Sequence, residues 1–240
     1  MKFTFSLALF TLILVISSCG QIAKTDKDLA LQYLVQEPIT KQEYNPVVIL
    51  LHGYGSDEKD LFELKKFFPK NYLIVSARAP QALPQHGYQW YEMSHENGRH
   101  SGKKSDLEQS RELILKFINQ IVIKYKADPK QVYLIGFSQG AMMSYYVGLA
   151  TPDKIKGIAP LSGMIIESLK ADIKVNAALK QLKIFIANGT ADSRITFADG
   201  KAAYDYLLTL GLQPEFHAYA GMEHQISKNE IDDLMSWLVK

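Results

Sequence analysis

Two apolar periods alternate along this chain, and their alternation predicts its architecture. Val47 to Leu51 (VVILL) is a continuous run led by β-branched residues, the pattern of a parallel strand buried on both faces. Val132 to Phe137 (VYLIGF) and Leu182 to Ala187 (LKIFIA) repeat it, and Leu29–Val35, Tyr72–Val75, Ile155–Pro160 and Glu215–Tyr219 are further strand candidates. Helical spacing fills the gaps. Asp57 to Phe68 aligns Leu61, Leu64 and Phe68 before Pro69 stops it. Ser105 and Glu108 form a capping box for a helix running to about Tyr125, striped by Leu107, Ile114, Phe117, Ile118 and Ile121. Asp128-Pro129 breaks the chain before the next strand, and more helices follow from Gln139, over Ala198–Leu210 and from Ser227. Strands separated repeatedly by helices predict an α/β fold: a mostly parallel central sheet with helices on both faces. Only Ala77 to Ser105 has no clear period, and so long an excursion in a compact domain is expected to be functional or mobile.

The first residues follow other rules. Met1-Lys2 is a short positive start, Phe3 to Ile16 is uncharged and mainly apolar, and small residues lead to Cys19. The run is too short for a bilayer-spanning helix, which needs about 20 apolar residues, but it suits a secretory signal. Its ending resembles the bacterial lipoprotein signal, which implies cleavage before Cys19 and lipid on that cysteine. The alternative is an ordinary signal or anchor with an incidental cysteine. The expected organisation is therefore signal peptide 1–18, lipidated tether 19–28 and one domain over 29–240. Membrane attachment through Cys19 would put the protein in a bacterial cell envelope; without it, the protein would be periplasmic or secreted. Cys19 is the one cysteine of the chain, so the domain is expected to rely on its core without disulfides.

Composition excludes more than it suggests. A length of 240 residues is enough for a single core, and a net charge of +2 creates no field that would attract nucleic acid. Pairs such as Lys65-Lys66 and Lys103-Lys104 read as solvated surface.

The strongest chemical signal is Gly136-Phe137-Ser138-Gln139-Gly140, a G-x-S-x-G at the junction of a buried strand and a helix. That turn exposes the Ser138 hydroxyl above the sheet. A serine hydroxyl needs a base to take its proton. Hydrolases with this junction supply an acid and then a histidine later in the chain. His217 lies inside a strand pattern, whereas His224 lies past the strand end and is the better base. Asp192 follows the strand Leu182–Ala187 and is the expected orienting acid; Asp199 and Asp205 fall at or inside the next helix. The Gln139 N–H is one expected oxyanion donor, and the Gly-rich loop at Leu51-His52-Gly53-Tyr54-Gly55 is expected to supply the other. His52 reads as a loop brace. His86, His95 and His100 lack metal-ligand spacing, so no metal is expected.

Together these residues resemble the phospholipase/carboxylesterase family, which includes the acyl-protein thioesterases. The matching pieces run in family order: the Leu51–Gly55 loop with Asp60, Arg78-Ala79-Pro80, Gly87–Tyr91, Gly136–Gly140, Leu161-Ser162-Gly163, Gly189–Asp192 and Gly221–His224. The resemblance implies an α/β-hydrolase fold with no large cap domain and no cofactor, acting on small-molecule esters or thioesters. It carries the catalytic roles onto Ser138, Asp192 and His224, and the oxyanion donors onto the backbone of Leu51 and Gln139. Asn188 departs from the usual histidine and Ile195-Thr196 from valine-proline, both beside Asp192. Trp90, Tyr91 and Met93 are read equally as pocket wall or as core, and Met164-Ile165-Ile166 as core before rim. Two other functions stay open: a binding lipoprotein that has lost catalysis, disfavoured by the intact serine–acid–histidine set, and a serine peptidase, disfavoured by the lack of room for a cap.

Overall fold

A computed structural model describes residues 29–96 and 99–240; the expected signal, the tether and Cys19 lie outside the described residues. The first half runs through β1 (Tyr33–Gln36), β2 (Asn45–Leu51), β3 (Leu73–Ala77), β4 (Gln81–Ala82), β5 (Tyr88–Gln89), β6 (Met93–Glu96), β7 (Arg99–Gly102) and α1 (Lys104–Tyr125). The second half contains β8 (Ala127–Phe137), α2 (Gln139–Ala150), β9 (Gly157–Leu161), α3 (Ala177–Lys180), β10 (Lys183–Gly189), α4 (Phe197–Thr209), β11 (Glu215–Tyr219) and α5 (Lys228–Val239). Seven strands form one sheet in the order β1-β3-β2-β8-β9-β10-β11. β1 pairs antiparallel with β3, and every other pairing in this sheet is parallel.

Continuous apolar strands make sense in such a sheet because both faces are covered. Val47, Ile49 and Leu51 of β2 join a core with Ile114 and Phe117 of α1, Met143 of α2 and Leu207 of α4. Val48 and Leu50 point the other way, into a core with Leu61, Phe68 and, from α5, Leu234 and Trp237. The predicted layered α/β architecture is the one the chain adopts.

Local expectations are corrected in four places. The first strand begins at Tyr33, four residues later than the apolar run. Asp57–Phe68 is a turn followed by a tight 3₁₀ helix at Leu61–Phe67. β8 begins at Ala127, and Asp128–Gln131 fall in a register shift against β2, where Pro129 has no N–H to pair. Ser105 and Glu108 do not cap α1, whose N-cap is Lys103. No side chain caps that end; Asp106 in the first turn instead ties it to the preceding segment, accepting from Gln81 Nε2 (2.9 Å) and the Glu92 N–H (3.2 Å). Those bonds, the Gln81 one above all, hold its carboxyl below the usual carboxylate range.

β2, β8, β10 and β11 run parallel, so their C-terminal ends open on the same edge of the sheet. That edge is where ligands bind in α/β folds.

Candidate active site

Ser138 occupies the turn between β8 and α2 with φ 54° and ψ −115°, a left-handed conformation for a residue with a side chain. Such strain costs about 1–3 kcal/mol and persists only where the surroundings enforce it. Here the Ser138 N–H donates to the Leu161 carbonyl (3.0 Å), and its carbonyl accepts from the Met142 N–H (3.1 Å). The flanking glycines permit the approach. A Cβ on Gly136 would stand 2.2 Å from the Gly140 carbonyl oxygen, and one on Gly140 would stand 2.0 Å from that of Leu51. The start of α2 therefore packs directly on the end of β2, and only glycine fits.

Two loops bring the other predicted residues to Ser138. The loop after β10 and the loop after β11 are joined by Thr190 N–H to Tyr219 O (3.0 Å), Ala191 N–H to Met222 O (3.1 Å) and Gly221 N–H to Thr190 Oγ1 (2.9 Å). His224 then lies with Nε2 2.9 Å from Ser138 Oγ and Nδ1 2.8 Å from Asp192 Oδ2. An ionised carboxylate can only accept, so Nδ1 carries the proton and Nε2 faces the serine hydroxyl as acceptor. The second oxygen of buried Asp192 accepts from the N–H groups of Arg194 (2.9 Å) and Ile195 (3.0 Å). The Phe137 ring packs on the imidazole at 4.8 Å between centroids.

The rival residues are occupied elsewhere. His217 lies on β11, half-buried between Glu215 and Asp233 and against Phe185. Asp199 closes a capping box with Thr196 at the start of α4, and Asp205 pairs with Lys201 on the surface.

A cavity of about 350 Å³ opens over Ser138. Tyr91, Phe137 and Met142 give it apolar surface, and Tyr54, Met93, His100 and Arg194 also line it. The excursion read two ways from sequence divides: Trp90 is fully buried core, Tyr91 is buried yet lines the cavity, and Met93 lines it while 43% exposed. The Gln139 side chain fastens this excursion to α2, its Oε1 accepting from the Trp90 N–H (2.8 Å) and its Nε2 donating to Tyr91 O (2.9 Å). Met164, Ile165 and Ile166 are buried, in line with the core reading.

The two expected oxyanion donors fare differently. Gln139 lies on the cavity at the first position of α2, where helical N–H groups have no intrahelical acceptor. Leu51 does not reach the cavity. It is fully buried inside β2, in register with Ala77 on one side and Gly136 on the other, and the wall is reached only at Gly53 and Tyr54. A Cβ on Gly53 would stand 3.4 Å from that of Ser138, so this loop passes directly beside the serine. His52 braces it as expected: Nε2 accepts from the Ala79 N–H (3.0 Å), which puts the proton on Nδ1 facing Gly53 O (2.7 Å). Burial holds His52 below the ordinary histidine value, favouring this neutral form. Further along the same loop, Glu58 forms a two-pronged pair with Arg78 at 2.5 and 2.6 Å.

Sequence reasoning missed Tyr54, His100, Met142 and Arg194 as cavity residues. Tyr54 stands inside the Leu51–Gly55 loop, Met142 and Arg194 lie two residues past the motif positions Gly140 and Asp192, and His100 carried no such signal. The Asn188 departure lies at the loop's base, where its buried side chain donates to Ile195 O at 3.5 Å and leaves Oδ1 unpartnered among the described residues.

Fold and site together define a hydrolase of the α/β-hydrolase class. The pattern of the phospholipase/carboxylesterase family matches residues 33–240, and the chain belongs to that family. A probable carboxylesterase, SOBER1-like, of Arabidopsis thaliana is 30% identical over 203 residues, spanning 80% of this chain and 77% of the relative. Acyl-protein thioesterase 1 of Cryptococcus neoformans is 26% identical over 224 residues, spanning 83% and 94%. Among solved structures, esterase PE8 superposes with a TM-score of 0.76 at 28% identity, covering 87% of this chain and 98% of that one. The Bacillus cereus carboxylesterase shares the fold with a TM-score of 0.76 at 20% identity, covering 89% and 95%.

Proposed function

We propose that this protein is a serine hydrolase that cleaves carboxylic esters or thioesters through an acyl-enzyme on Ser138. The observation that carries the reading is the unbroken line from Ser138 Oγ through His224 to Asp192, with bonds of 2.9 and 2.8 Å. Ser138 Oγ attacks the substrate carbonyl while His224 Nε2 takes the hydroxyl proton, and buried Asp192 stabilises the resulting imidazolium. Collapse of the tetrahedral intermediate expels the alcohol or thiol, which receives that proton from Nε2. Water then repeats the sequence on the acyl-enzyme, releasing the acid and restoring Ser138. We assign the oxyanion donors to the backbone N–H groups of Gln139 and Tyr54, since both residues border the cavity beside Ser138 and Leu51 does not. A panel of p-nitrophenyl esters, acyl thioesters and peptide amides tests the substrate class. Esters or thioesters should turn over and amides should not; efficient cleavage of amides alone would favour a peptidase.

We also propose that the chain is held in a bacterial envelope by lipid on Cys19. The support is the order of Met1-Lys2, the apolar run Phe3–Ile16 and the small residues before the cysteine. Attachment by more than one acyl chain gives stable anchoring, which one myristoyl-length chain does not. Wild-type protein should then fractionate with membranes through a high-salt wash. An unmodified N-terminus at or after Cys19 in soluble protein would overturn the assignment.

A further inference from the structure

With Ser138, His224 and Asp192 assigned to the chemistry, one cationic side chain on the cavity remains unused. Arg194 is exposed and lines the same cavity as Ser138, His224 and Met142. Its backbone is fixed from both sides: the N–H donates to Asp192 Oδ1 (2.9 Å), and the carbonyl bonds His100 Nε2 (3.1 Å). Its guanidinium, by contrast, makes no ion pair and no hydrogen bond among the described residues. The other described arginine side chains are engaged. Arg78 forks onto Glu58, and Arg111 lies over the Tyr146 ring at 4.8 Å. An uncommitted planar cation carried by a fixed backbone at the cavity's edge suits recognition of a carboxylate or phosphate.

The cavity's other charges sharpen this picture. Asp60 lines it too, from the loop after β2, where its Oδ2 accepts from Ser56 Oγ (2.8 Å). β8 and β9 lie between β2 and β10 in the sheet, so Asp60 and Arg194 reach the cavity from loops that follow separated strands. Phe137 and Met142 add apolar surface to the same cavity, and His100 bonds the Arg194 carbonyl. We propose that Arg194 makes this site selective for esters or thioesters whose acyl or alcohol part ends in an anionic group, a carboxylate or a phosphate monoester. The proposal rests on the hydrolase reading above.

Two matched pairs of probes test it. On the acyl side, p-nitrophenyl hemiglutarate is compared with p-nitrophenyl valerate; on the alcohol side, a monoacylglycerol phosphate with the corresponding monoacylglycerol. The readout is the ratio of kcat/KM within each pair, which losses of active enzyme leave untouched. Wild type should favour the anionic member of at least one pair, and the responding pair identifies the side that carries the charge. Arg194→Leu should cut that ratio about tenfold, the scale of one charge-assisted hydrogen bond. Arg194→Lys should retain part of it, and added salt should narrow it in wild type. Equal treatment of both members in both pairs, or a wild-type ratio in Arg194→Leu, would overturn the proposal while leaving the hydrolase reading intact. A protein that turns over none of the probes and takes up no fluorophosphonate would remove the hydrolase reading, and this proposal with it.

Discussion

Ser138 and Met93 face one cavity from walls built in opposite ways. Ser138 ends a strand with parallel neighbours on both sides, and glycine contacts and backbone bonds enforce its strained conformation. Met93 sits on β6, which pairs only with β7 in a two-stranded ribbon. That ribbon is tied to the body by individual side chains: Asp106, Gln139 beside it, and His100 to Arg194. The difference separates two jobs. Atoms that must meet within a few tenths of an ångström are fixed by the sheet and its glycine junctions. Atoms that shape the space for a substrate hang on a ribbon that can change without disturbing them.

The largest effects should come from the sheet wall. Ser138→Ala should lower kcat on the order of a millionfold with the fold intact, as checked by circular dichroism. Asp192→Asn should cost about 10⁴-fold by favouring the wrong imidazole tautomer, whereas Asp199→Asn should lose only part of a helix cap. If Asp199→Asn were the dead variant, the acid would be misassigned.

Trp90 tests whether the division follows sequence or burial. It belongs to the excursion, yet it is fully buried, with its indole N–H on His52 O (2.9 Å) and its carbonyl accepting from Ser110 Oγ. Trp90→Ala should therefore cost about 3–5 kcal/mol in chemical denaturation, like any large core truncation. A cost below 1 kcal/mol would mean the excursion is only loosely joined to the core.

A smaller effect concerns the helix that follows the histidine loop. Glu230 closes a capping box with Ser227 at the start of α5 and is fully buried, with Oε1 unpartnered among the described residues. Burial pushes its carboxyl up to about 8. Above its unfolded value, near 4.5, the folded state binds this proton and the unfolded state does not. The contribution is thus fully present below about 4.5 and is lost as pH rises through about 8. Glu230→Gln keeps an acceptor for the Ser227 N–H and should flatten that decline in denaturation midpoints measured across the range. An unchanged slope would show that Glu230 does not titrate there.

Met93→Ala should have the smallest effect on stability, within about 0.5 kcal/mol, as for other exposed substitutions. Its consequence should instead be a changed KM for long acyl esters. A large loss of stability would erase the distinction between the walls.

The same contrast explains what could be read from the chain. VVILL, VYLIGF and LKIFIA mark their strands because burial on both faces leaves no polar positions, and the junction at Ser138 follows from its glycines. β6 and β7 left no such trace. Among the described residues of this ribbon the buried positions are Ser101 and Gly102, neither of them a large apolar side chain, so with Ser94, His95 and His100 the segment carries no apolar alternation. Leu51 was misplaced for a related reason: the sequence locates the Gly-rich loop but not the residue at which the strand ends and the cavity wall begins. Arg194 stands two residues past Asp192 in the sequence, but its lack of a side-chain partner is a property of three dimensions.

The central claim, that the enforced turn makes Ser138 a nucleophile, is tested most directly by locating a covalent adduct. Wild-type protein treated with a fluorophosphonate probe, digested and examined by mass spectrometry should carry the adduct on the peptide containing Ser138, with turnover lost in proportion. Ser138→Ala should take up none. An adduct on another residue, or full labelling of the Ser138→Ala protein, would contradict the account.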